Sequence, residues 1–189
     1  MRVLFLGTSL SAGYGLPDPA TQAFPAEIGR LAERAGEKIE VINAGLSGET
    51  SAGALRRVQW LLRDSVDVVV VETGGNDGLR GLPAADLERN IRGIIGAIRS
   101  RQPQASIVLV PMEAPPNFGG RYAMDFRSVY ARLSQELRVP VTAFLLDGVA
   151  GVARMNQADG IHPTEEGARK VARTLWPTLQ RVIADHRAA

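Results

Sequence analysis

Short apolar runs recur along the chain, and each gives way to a stretch rich in glycine and small polar residues. These runs predict five β-strands, at residues 3–6, 39–44, 66–73, 106–110 and 139–144. The third run contains four consecutive valines at 68–71, and a strand that is apolar on both faces belongs inside a sheet covered on both sides. The pattern therefore predicts a buried parallel sheet.

The segments between the predicted strands carry apolar residues at helical spacing. The stripes comprise Ile28, Leu31 and Ala32; Leu55, Val58 and Leu62; Leu87, Ile91, Ile94, Ile95 and Ile98; Phe126, Val129, Tyr130, Leu133 and Leu137; and Val171, Leu175, Leu179 and Val182. Pro25 suits the first turn of the first helix and Gly36 its end. Thr164 is a cap for the last helix, and residues 185–189 beyond it are expected to fray.

This alternation of strands and helices predicts an α/β fold, specifically a three-layer α/β/α sandwich with a five-stranded parallel sheet and right-handed crossovers. We expect the flavodoxin-like strand order 2-1-3-4-5, because the glycine-rich loops after strands 1, 2 and 3 then meet at one edge of the sheet. A chain of 189 residues fits one domain, spanning residues 1–189.

Composition narrows the classes of function. The formal net charge is +2 and the basic residues are dispersed among acidic ones, so no nucleic-acid surface is expected. The chain has no cysteine, which excludes disulfides, a thiolate nucleophile and a thiolate metal site. No apolar run reaches the roughly 18 residues that a membrane span needs.

For cellular location and oligomeric state, only default expectations follow from the sequence. Met1 directly precedes the first predicted strand, without the charged and apolar regions of a signal peptide. The sequence as it stands therefore indicates a cytoplasmic protein, whereas a leader removed beforehand would indicate a periplasmic or secreted one. A monomer is the expectation for a chain of this size and surface.

Ser9 follows the first predicted strand, where a hydroxyl either performs chemistry or caps the next turn. The chain has two histidines, and His186 lies in the tail, so His162 is the candidate imidazole base. Asp159 precedes His162 by three residues. At that spacing its carboxylate can accept from one ring nitrogen while the other nitrogen faces a hydroxyl. Ser9, His162 and Asp159 are therefore a candidate nucleophilic relay.

Attack of a hydroxyl on a carbonyl builds negative charge on oxygen, which fixed donors must stabilise. The candidate donors are the backbone N–H groups of Ser9 and Gly48 and the side-chain amide of Asn76. Glycine lets the main chain approach closely, and asparagine offers two donors without a charge. Asp77 and Arg80 are expected to pin the third loop by charge-assisted hydrogen bonds.

Asp159 and His162 could instead be two ligands of a metal ion. No cysteine, and no second histidine outside the tail, is available to complete such a site. We therefore expect no metal, and the relay requires no cofactor.

Four short blocks resemble those of the SGNH, or GDSL-type, hydrolase superfamily and occur in the same order. The blocks are Gly7-Thr8-Ser9-Leu10-Ser11, Gly48 within Ser47-Gly48-Glu49-Thr50, Gly74-Gly75-Asn76-Asp77 and Asp159-Gly160-Ile161-His162-Pro163. Longer matches at 9–14, 74–81 and 117–122 are similar to the bacterial thioesterase I, lysophospholipase and arylesterase branch. Four blocks in order are a more specific signal than any one of them.

The resemblance implies roles for five residues. Ser9 would be the nucleophile, His162 the base and Asp159 the group that orients the base. Gly48 and Asn76 would join the backbone N–H of Ser9 in an oxyanion hole.

Thr8 departs from the pattern of the superfamily, which usually has aspartate at this position. Threonine can still hydrogen-bond within the loop but adds no charge, so either the rigidity of the loop or the electrostatic environment of Ser9 is expected to differ while the nucleophilicity of Ser9 survives. The block also lacks the Gly-x-Ser-x-Gly elbow, because Ser11 stands at its end, which argues against the α/β-hydrolase fold.

The resemblance implies a serine esterase that acts on small-molecule carboxylic esters and thioesters through an acyl-enzyme on Ser9. Its substrates would include short to medium acyl chains, aryl esters and lysophospholipids. Apolar loop residues beside the crevice are expected to form the acyl pocket. They are Leu10, Tyr14, Leu16, Leu79, Pro115, Phe118, Leu145 and Leu146.

Two alternatives remain open. A carbohydrate acetylesterase would use the same fold and the same relay on a different substrate. From another class, a flavodoxin-like binding module would cradle a phosphate or nucleotide with the loop after the first strand. The module would explain Thr8, Ser9 and Ser11 but would leave Asp159 and His162 without a role.

Overall fold

Four parallel β-strands form the centre of the computed structural model, which describes residues 1–188. The strands are β1 (Arg2–Gly7), β2 (Glu40–Gly45), β3 (Val68–Glu72) and β4 (Ser106–Val110), in the order β2-β1-β3-β4. Because β1 pairs with both β2 and β3, Leu6 lies beside Ala44 on one side and Val71 on the other. The predicted α/β fold and the order of these four strands are confirmed.

The predicted fifth strand is reduced to a single bridge, and this detail of the prediction is wrong. Val141 pairs in parallel with Leu109 of β4. The Leu109 N–H donates to the Pro140 carbonyl at 2.9 Å, and the Thr142 N–H donates to the Leu109 carbonyl at 3.0 Å. Pro140 has no N–H with which to extend the ladder. The segment still occupies the fifth position, at the β4 edge of the sheet.

Helices cover both faces of the sheet. Those of the described residues are α1 (Ser9–Ala12), α2 (Pro19–Gln22), α3 (Phe24–Arg34), α4 (Ser51–Leu61), α5 (Gly75–Leu79), α6 (Ala84–Arg101), α7 (Gly120–Leu137) and α8 (Glu165–Ala188). On one face α3 packs against α8, and on the other α4 and α7 both pack against α6. The sheet is therefore the middle of three layers, as predicted.

The residues that the sequence suggested as the ends of α3 and α8 lie at the ends of those helices. α3 has Pro25 in its first turn, and Gly36 follows it with a φ of 77°. At the start of α8 the Thr164 hydroxyl accepts from the Gly167 N–H at 3.3 Å, which satisfies a donor that has no partner within the helix.

The last turn of α8 is helical over residues 185–188, so the expectation of a frayed tail is wrong for them. His186 Nδ1 lies 3.1 Å from Ser106 Oγ at the start of β4. This contact joins the end of the helix to the sheet. Ala189, which the prediction also included, lies outside the described residues.

The core consists of the strands and the apolar stripes of the helices that flank them. All residues of β3 are buried, which agrees with a central strand covered on both faces. The apolar side chains of α3 and α8 fill one side of the sheet and those of α4, α6 and α7 fill the other. Within residues 1–188, no helix combines the length and apolarity that crossing a bilayer requires.

Candidate active site

Three loops meet at the carboxyl-terminal edge of the sheet and surround a cleft of about 390 Å³. Ser9 is the first residue of α1, directly after β1. Gly48 lies in the loop after β2, and Asn76 lies in α5, after β3. These residues and His162 all line the cleft.

Two hydrogen bonds join three side chains in the cleft. His162 Nε2 lies 2.9 Å from Ser9 Oγ, and His162 Nδ1 lies 2.6 Å from Asp159 Oδ2. When Nδ1–H donates to the carboxylate, Nε2 is left as an acceptor for the Ser9 hydroxyl. In this arrangement an imidazole can take the proton of a serine as the serine attacks.

The carboxylate of Asp159 is held by its own turn. Its Oδ1 atom accepts from the backbone N–H groups of Ile161 at 2.9 Å and His162 at 3.0 Å. The hydrogen bond from the His162 ring, followed by these backbone bonds, lowers the pKa of Asp159 to about 2. Gly160 makes the turn possible with a φ of 71°. Asp159 is therefore an ionised acceptor at neutral pH.

Gln157 connects the histidine loop to the nucleophile loop. Its backbone N–H donates to the His162 carbonyl at 2.7 Å, and its side-chain amide donates to the Tyr14 carbonyl at 2.7 Å and the Pro163 carbonyl at 2.9 Å. The Tyr14 ring lies 4.7 Å from the His162 ring between centroids. Nothing in the sequence distinguished Gln157, because its role depends on a contact with residues far away along the chain.

The candidate oxyanion donors lie on two loops that are joined to each other. Asn76 Nδ2 donates to the Glu49 carbonyl at 2.9 Å, and Arg80 donates to the Gly48 carbonyl at 3.0 Å. Gly48 itself has a φ of 76°, a backbone conformation that glycine adopts without strain. Ser9, Gly48 and Asn76, the residues of the three predicted donors, all line the cleft.

Asp77 fixes α5 to the start of α4 from inside the protein. It is 1% exposed and accepts from the Ser51 N–H at 2.8 Å and the Ser51 hydroxyl at 2.5 Å. Asn90 of α6 donates to the same hydroxyl at 2.9 Å. The expected role of Asp77 and Arg80 in pinning the third loop agrees with these bonds.

Glu72, the last residue of β3, lies under the nucleophile turn and is fully buried. Burial raises the pKa of Glu72 to about 7, although hydrogen bonds from Thr8 and Ser11 act in the opposite direction. Glu72 was not among the predicted site residues. The available signal was a charged residue directly after four buried valines, where an unpartnered carboxylate would be costly.

The cleft wall is mostly apolar, with a few polar groups at the relay. Four of the residues predicted for the acyl pocket line it, namely Leu10, Tyr14, Leu79 and Leu146. The prediction missed four others, namely Met112, Glu113, Phe144 and Ile161. Ile161 lies within the fourth block, and Met112 and Glu113 follow β4 directly, so the rule that ligands bind beyond strand ends could have found them.

Four predicted pocket residues lie away from the cleft, and for them the structure corrects the prediction. Leu145 is fully buried in the core, because it points inward between two neighbours that line the cleft. Phe118 packs on Tyr122, with ring centroids 5.6 Å apart. Pro115 and Leu16 do not contribute to the cleft wall either.

The described residues contain no group of three or more histidine, cysteine, aspartate or glutamate side chains placed to hold a metal ion. A serine, an oriented imidazole and neighbouring donors are the components of acyl transfer.

A sequence model of the GDSL-like Lipase/Acylhydrolase family matches residues 5–170. Esterase TesA of Pseudomonas aeruginosa is 37% identical over 182 residues, which cover 96% of this chain and 89% of that protein. Thioesterase 1/protease 1/lysophospholipase L1 of Escherichia coli K12 is 35% identical over 182 residues, which cover 96% of this chain and 84% of that protein.

Solved structures have the same fold. A crystal structure of TesA has a TM-score of 0.90 at 37% identity and covers 96% of this chain and 99% of its own. The psychrotrophic esterase EstA from Pseudoalteromonas sp., inhibited by monoethylphosphonate, has a TM-score of 0.88 at 30% identity, covering 95% of this chain and 97% of its own. The chain therefore belongs to the GDSL-like lipase/acylhydrolase family and is an ester hydrolase.

Proposed function

We propose that this ester hydrolase uses Ser9 as its nucleophile, His162 as its general base and Asp159 as the group that orients the base. The observation that carries the proposal is the continuous path from Ser9 Oγ to His162 Nε2 at 2.9 Å and from His162 Nδ1 to Asp159 at 2.6 Å. A serine hydroxyl is a poor nucleophile until a base removes its proton during attack.

In the first half of the reaction, Ser9 Oγ bonds to the carbonyl carbon while His162 Nε2 takes the hydroxyl proton. The electron pair of the carbonyl moves to oxygen, where the N–H groups of Ser9 and Gly48 and the Asn76 amide stabilise the charge. Collapse of this intermediate breaks the bond to the alcohol or thiol. His162 gives its proton to the departing group, and the acyl group stays on Ser9.

In the second half, His162 takes a proton from water, and the resulting hydroxide oxygen bonds to the acyl carbon. The bond to Ser9 Oγ then breaks, the proton returns to Ser9, and the carboxylic acid leaves. Throughout both halves the Asp159 carboxylate stays ionised, since its pKa is about 2, and stabilises the imidazolium that forms.

The apolar wall favours acyl groups of short to medium length, on either an oxygen or a sulfur leaving group. Its side chains are Leu10, Leu79, Met112, Phe144, Leu146 and Ile161. The names of two relatives support both kinds of leaving group, because one is called an esterase and the other a thioesterase and lysophospholipase.

The nucleophile is tested by covalent labelling. A p-nitrophenyl phosphonate should add one phosphonyl group to the peptide that contains Ser9, as detected by mass spectrometry, with complete loss of esterase activity. Ser9→Ala should abolish labelling and lower kcat by about 10³-fold or more. Ser100→Ala, an exposed position on α6, is the matched control and should behave as the wild type. Labelling of another serine would refute the assignment.

The substrate class is tested with a chain-length series of p-nitrophenyl esters, an acyl thioester and acetylated xylan. Because the cleft is apolar, kcat/KM should rise from the acetate to medium chains, by up to about 10-fold for each methylene that finds a contact. A preference for acetate together with release of acetate from xylan would instead identify a carbohydrate acetylesterase.

A further inference from the structure

Glu72 is a buried carboxyl group whose hydrogen bonds all go to one turn. Its Oε2 atom accepts from the Thr8 N–H at 2.7 Å and the Ser11 hydroxyl at 2.8 Å, and its Oε1 atom accepts from the Thr8 hydroxyl at 2.8 Å. Among residues 1–188, no ion pair includes Glu72. A buried carboxylate without a cation costs stability, so the contacts that it makes require an explanation.

Those contacts determine the orientation of the peptide that precedes the nucleophile. Thr8 is the cap of α1, and its hydroxyl also accepts from the Leu10 N–H at 3.4 Å. With both Thr8 donors held by Glu72, the direction of the Ser9 N–H and of its Cα–Cβ bond follows from the position of one carboxylate. Ser9 is the first residue of the helix, where an N–H has no acceptor within the helix and is free to face the cleft.

The backbone is shaped to let the carboxylate approach. A Cβ atom on Gly7 would lie 1.9 Å from Ser11 Oγ and 2.8 Å from Glu72 Oε2. Any side chain there would push Ser11 and Glu72 apart, so the glycine that begins the first block provides the space for the carboxylate.

The contacts of Glu72 would differ if position 8 held aspartate instead of threonine. The Thr8 and Ser11 hydroxyls can donate to an ionised carboxyl and, after rotating, can accept from a protonated one. An aspartate at position 8 would place a second carboxyl beside Glu72, and the two would have to share a proton. Among residues 1–188, Glu72 is the acidic side chain that hydrogen-bonds to the nucleophile turn.

We propose that Glu72 is a positioning residue for the reaction, which acts through Thr8 and Ser11 to hold the Ser9 hydroxyl in line with His162 and the Ser9 N–H toward the developing oxyanion. This role rests on the proposed function of Ser9. It is distinct from a purely structural role, because it affects the step in which Ser9 becomes acylated and not only the stability of the fold.

The test compares Glu72→Gln with Glu27→Gln. Glutamine keeps the shape of Glu72 but replaces one acceptor oxygen with an NH₂ group, so at least one of the three hydrogen bonds from Thr8 and Ser11 is lost or reversed. Glu27 is a buried glutamate of α3 that pairs with Arg30 at 2.5 Å, away from the cleft. In Glu72→Gln, kcat on p-nitrophenyl butyrate and the rate of Ser9 phosphonylation should both fall by about 10- to 100-fold, with KM within about 3-fold, because small misplacements of a nucleophile have effects of this size. Glu27→Gln should match the wild type.

Two further variants decide the question if Glu72→Gln does not fold. Thr8→Val keeps the shape but removes the hydroxyl that donates to Glu72 and also accepts from the Leu10 N–H, and kcat should fall by about 5-fold or more. Thr8→Ser restores the hydroxyl and should recover most of that loss. Equal kcat values for the Val and Ser variants would overturn the proposal, as would a folded Glu72→Gln enzyme with lower thermal stability but unchanged kcat.

The outcome is separable from that of the proposed function. If Ser9→Ala keeps its esterase activity, Ser9 is not the nucleophile and the relay is wrong. If Ser9→Ala is inactive while Glu72→Gln keeps the wild-type kcat and phosphonylation rate, the relay stands and only the role of Glu72 is refuted.

Discussion

The orientation of the His162 ring depends on Asp159. In Asp159→Asn the amide NH₂ group can face Nδ1, which would leave the ring proton on Nε2 and remove the acceptor that Ser9 needs. We expect kcat to fall by about 10³- to 10⁴-fold with the fold intact. The measurement is kcat on p-nitrophenyl butyrate together with the thermal midpoint, and Asp125→Asn, at an exposed position on α7, is the control. A loss below 10-fold would contradict the orienting role.

Asn76 is the one predicted oxyanion donor that can be removed by a side-chain substitution. Asn76→Ala should lower kcat by about 10²- to 10³-fold, because the donor acts on charge that develops in the transition state, and should leave KM nearly unchanged. Asn117→Ala, at an exposed position in the short 3₁₀ helix Pro116–Phe118 away from the cleft, controls for the loss of an amide. An effect confined to KM would mean that Asn76 binds the ground state instead.

Among single residues, the sequence could predict those whose type is rare in the chain or whose position next to a strand is distinctive. His162 could be singled out as a candidate because the chain has two histidines, and Ser9 because it follows a strand. Glu72 and Gln157 could not, because glutamate and glutamine are common and each acquires its role from a partner brought close by the fold. Leu145 was misplaced for a related reason, since the sequence does not tell which of several adjacent apolar residues faces the cleft.

Two glycines of α6 differ in the packing around them, and this difference predicts how substitution of each one changes the free energy of unfolding. A Cβ atom on Gly96 would meet nothing within 4 Å, whereas one on Gly93 would lie 2.9 Å from Leu55 Cδ1 of α4. Gly96→Ala should raise the free energy of unfolding by about 0.5–1 kcal/mol, because alanine has less freedom in the unfolded chain. Gly93→Ala should gain less than Gly96→Ala, because the half-buried Leu55 side chain has to shift to make room for the new methyl group. Urea unfolding of both variants checks this, and equal values would contradict the packing of α4 against α6.

Long elements were predictable and short ones were not. The stripes of α6 and α8 repeat over several turns, so their period was visible in the sequence. α1 and α5 have four and five residues, too few for a period, and they form because caps and tertiary hydrogen bonds hold them. The predicted fifth strand is reduced to one bridge because proline interrupts its hydrogen-bond ladder. The ladder depends on backbone N–H and C=O groups, which the apolar pattern does not show.

The stability of the whole molecule should depend on pH through Glu72. Its pKa is about 7 in the folded state against 4.5 as the ordinary value, so between these values the folded state binds more protons than the unfolded chain. The free energy of unfolding should therefore fall as pH rises from 4.5 to 7, by on the order of 3 kcal/mol from this group.

Urea unfolding of the wild type and Glu72→Gln at pH 5, 6, 7 and 8 isolates this contribution. The wild type should lose stability relative to the variant as pH rises through 7, since glutamine does not titrate. Glu27→Gln is again the matched control and should follow the wild type. Parallel stability curves for the wild type and Glu72→Gln would show that the buried carboxyl does not titrate in this range.

The general architecture was predictable because it depends on patterns repeated along the chain. Alternating strands and helices determine a parallel sheet, and right-handed crossovers bring the loops after β1, β2 and β3 to one edge. The convergence of Ser9, Gly48 and Asn76 follows from that rule. The depth of the cleft and its wall beyond β4 do not follow, because they depend on an irregular segment whose shape is determined by tertiary contacts.

The hydrogen bond between Ser9 and His162 spans 153 positions of the chain, and this has a consequence for how the enzyme is made. Synthesis on the ribosome proceeds from the N-terminus, so the serine emerges well before the imidazole. If Ser9 and His162 act as proposed, a nascent chain carries its nucleophile long before its base, and it stays inert toward the esters around it until the segment with the histidine has emerged and folded against the sheet.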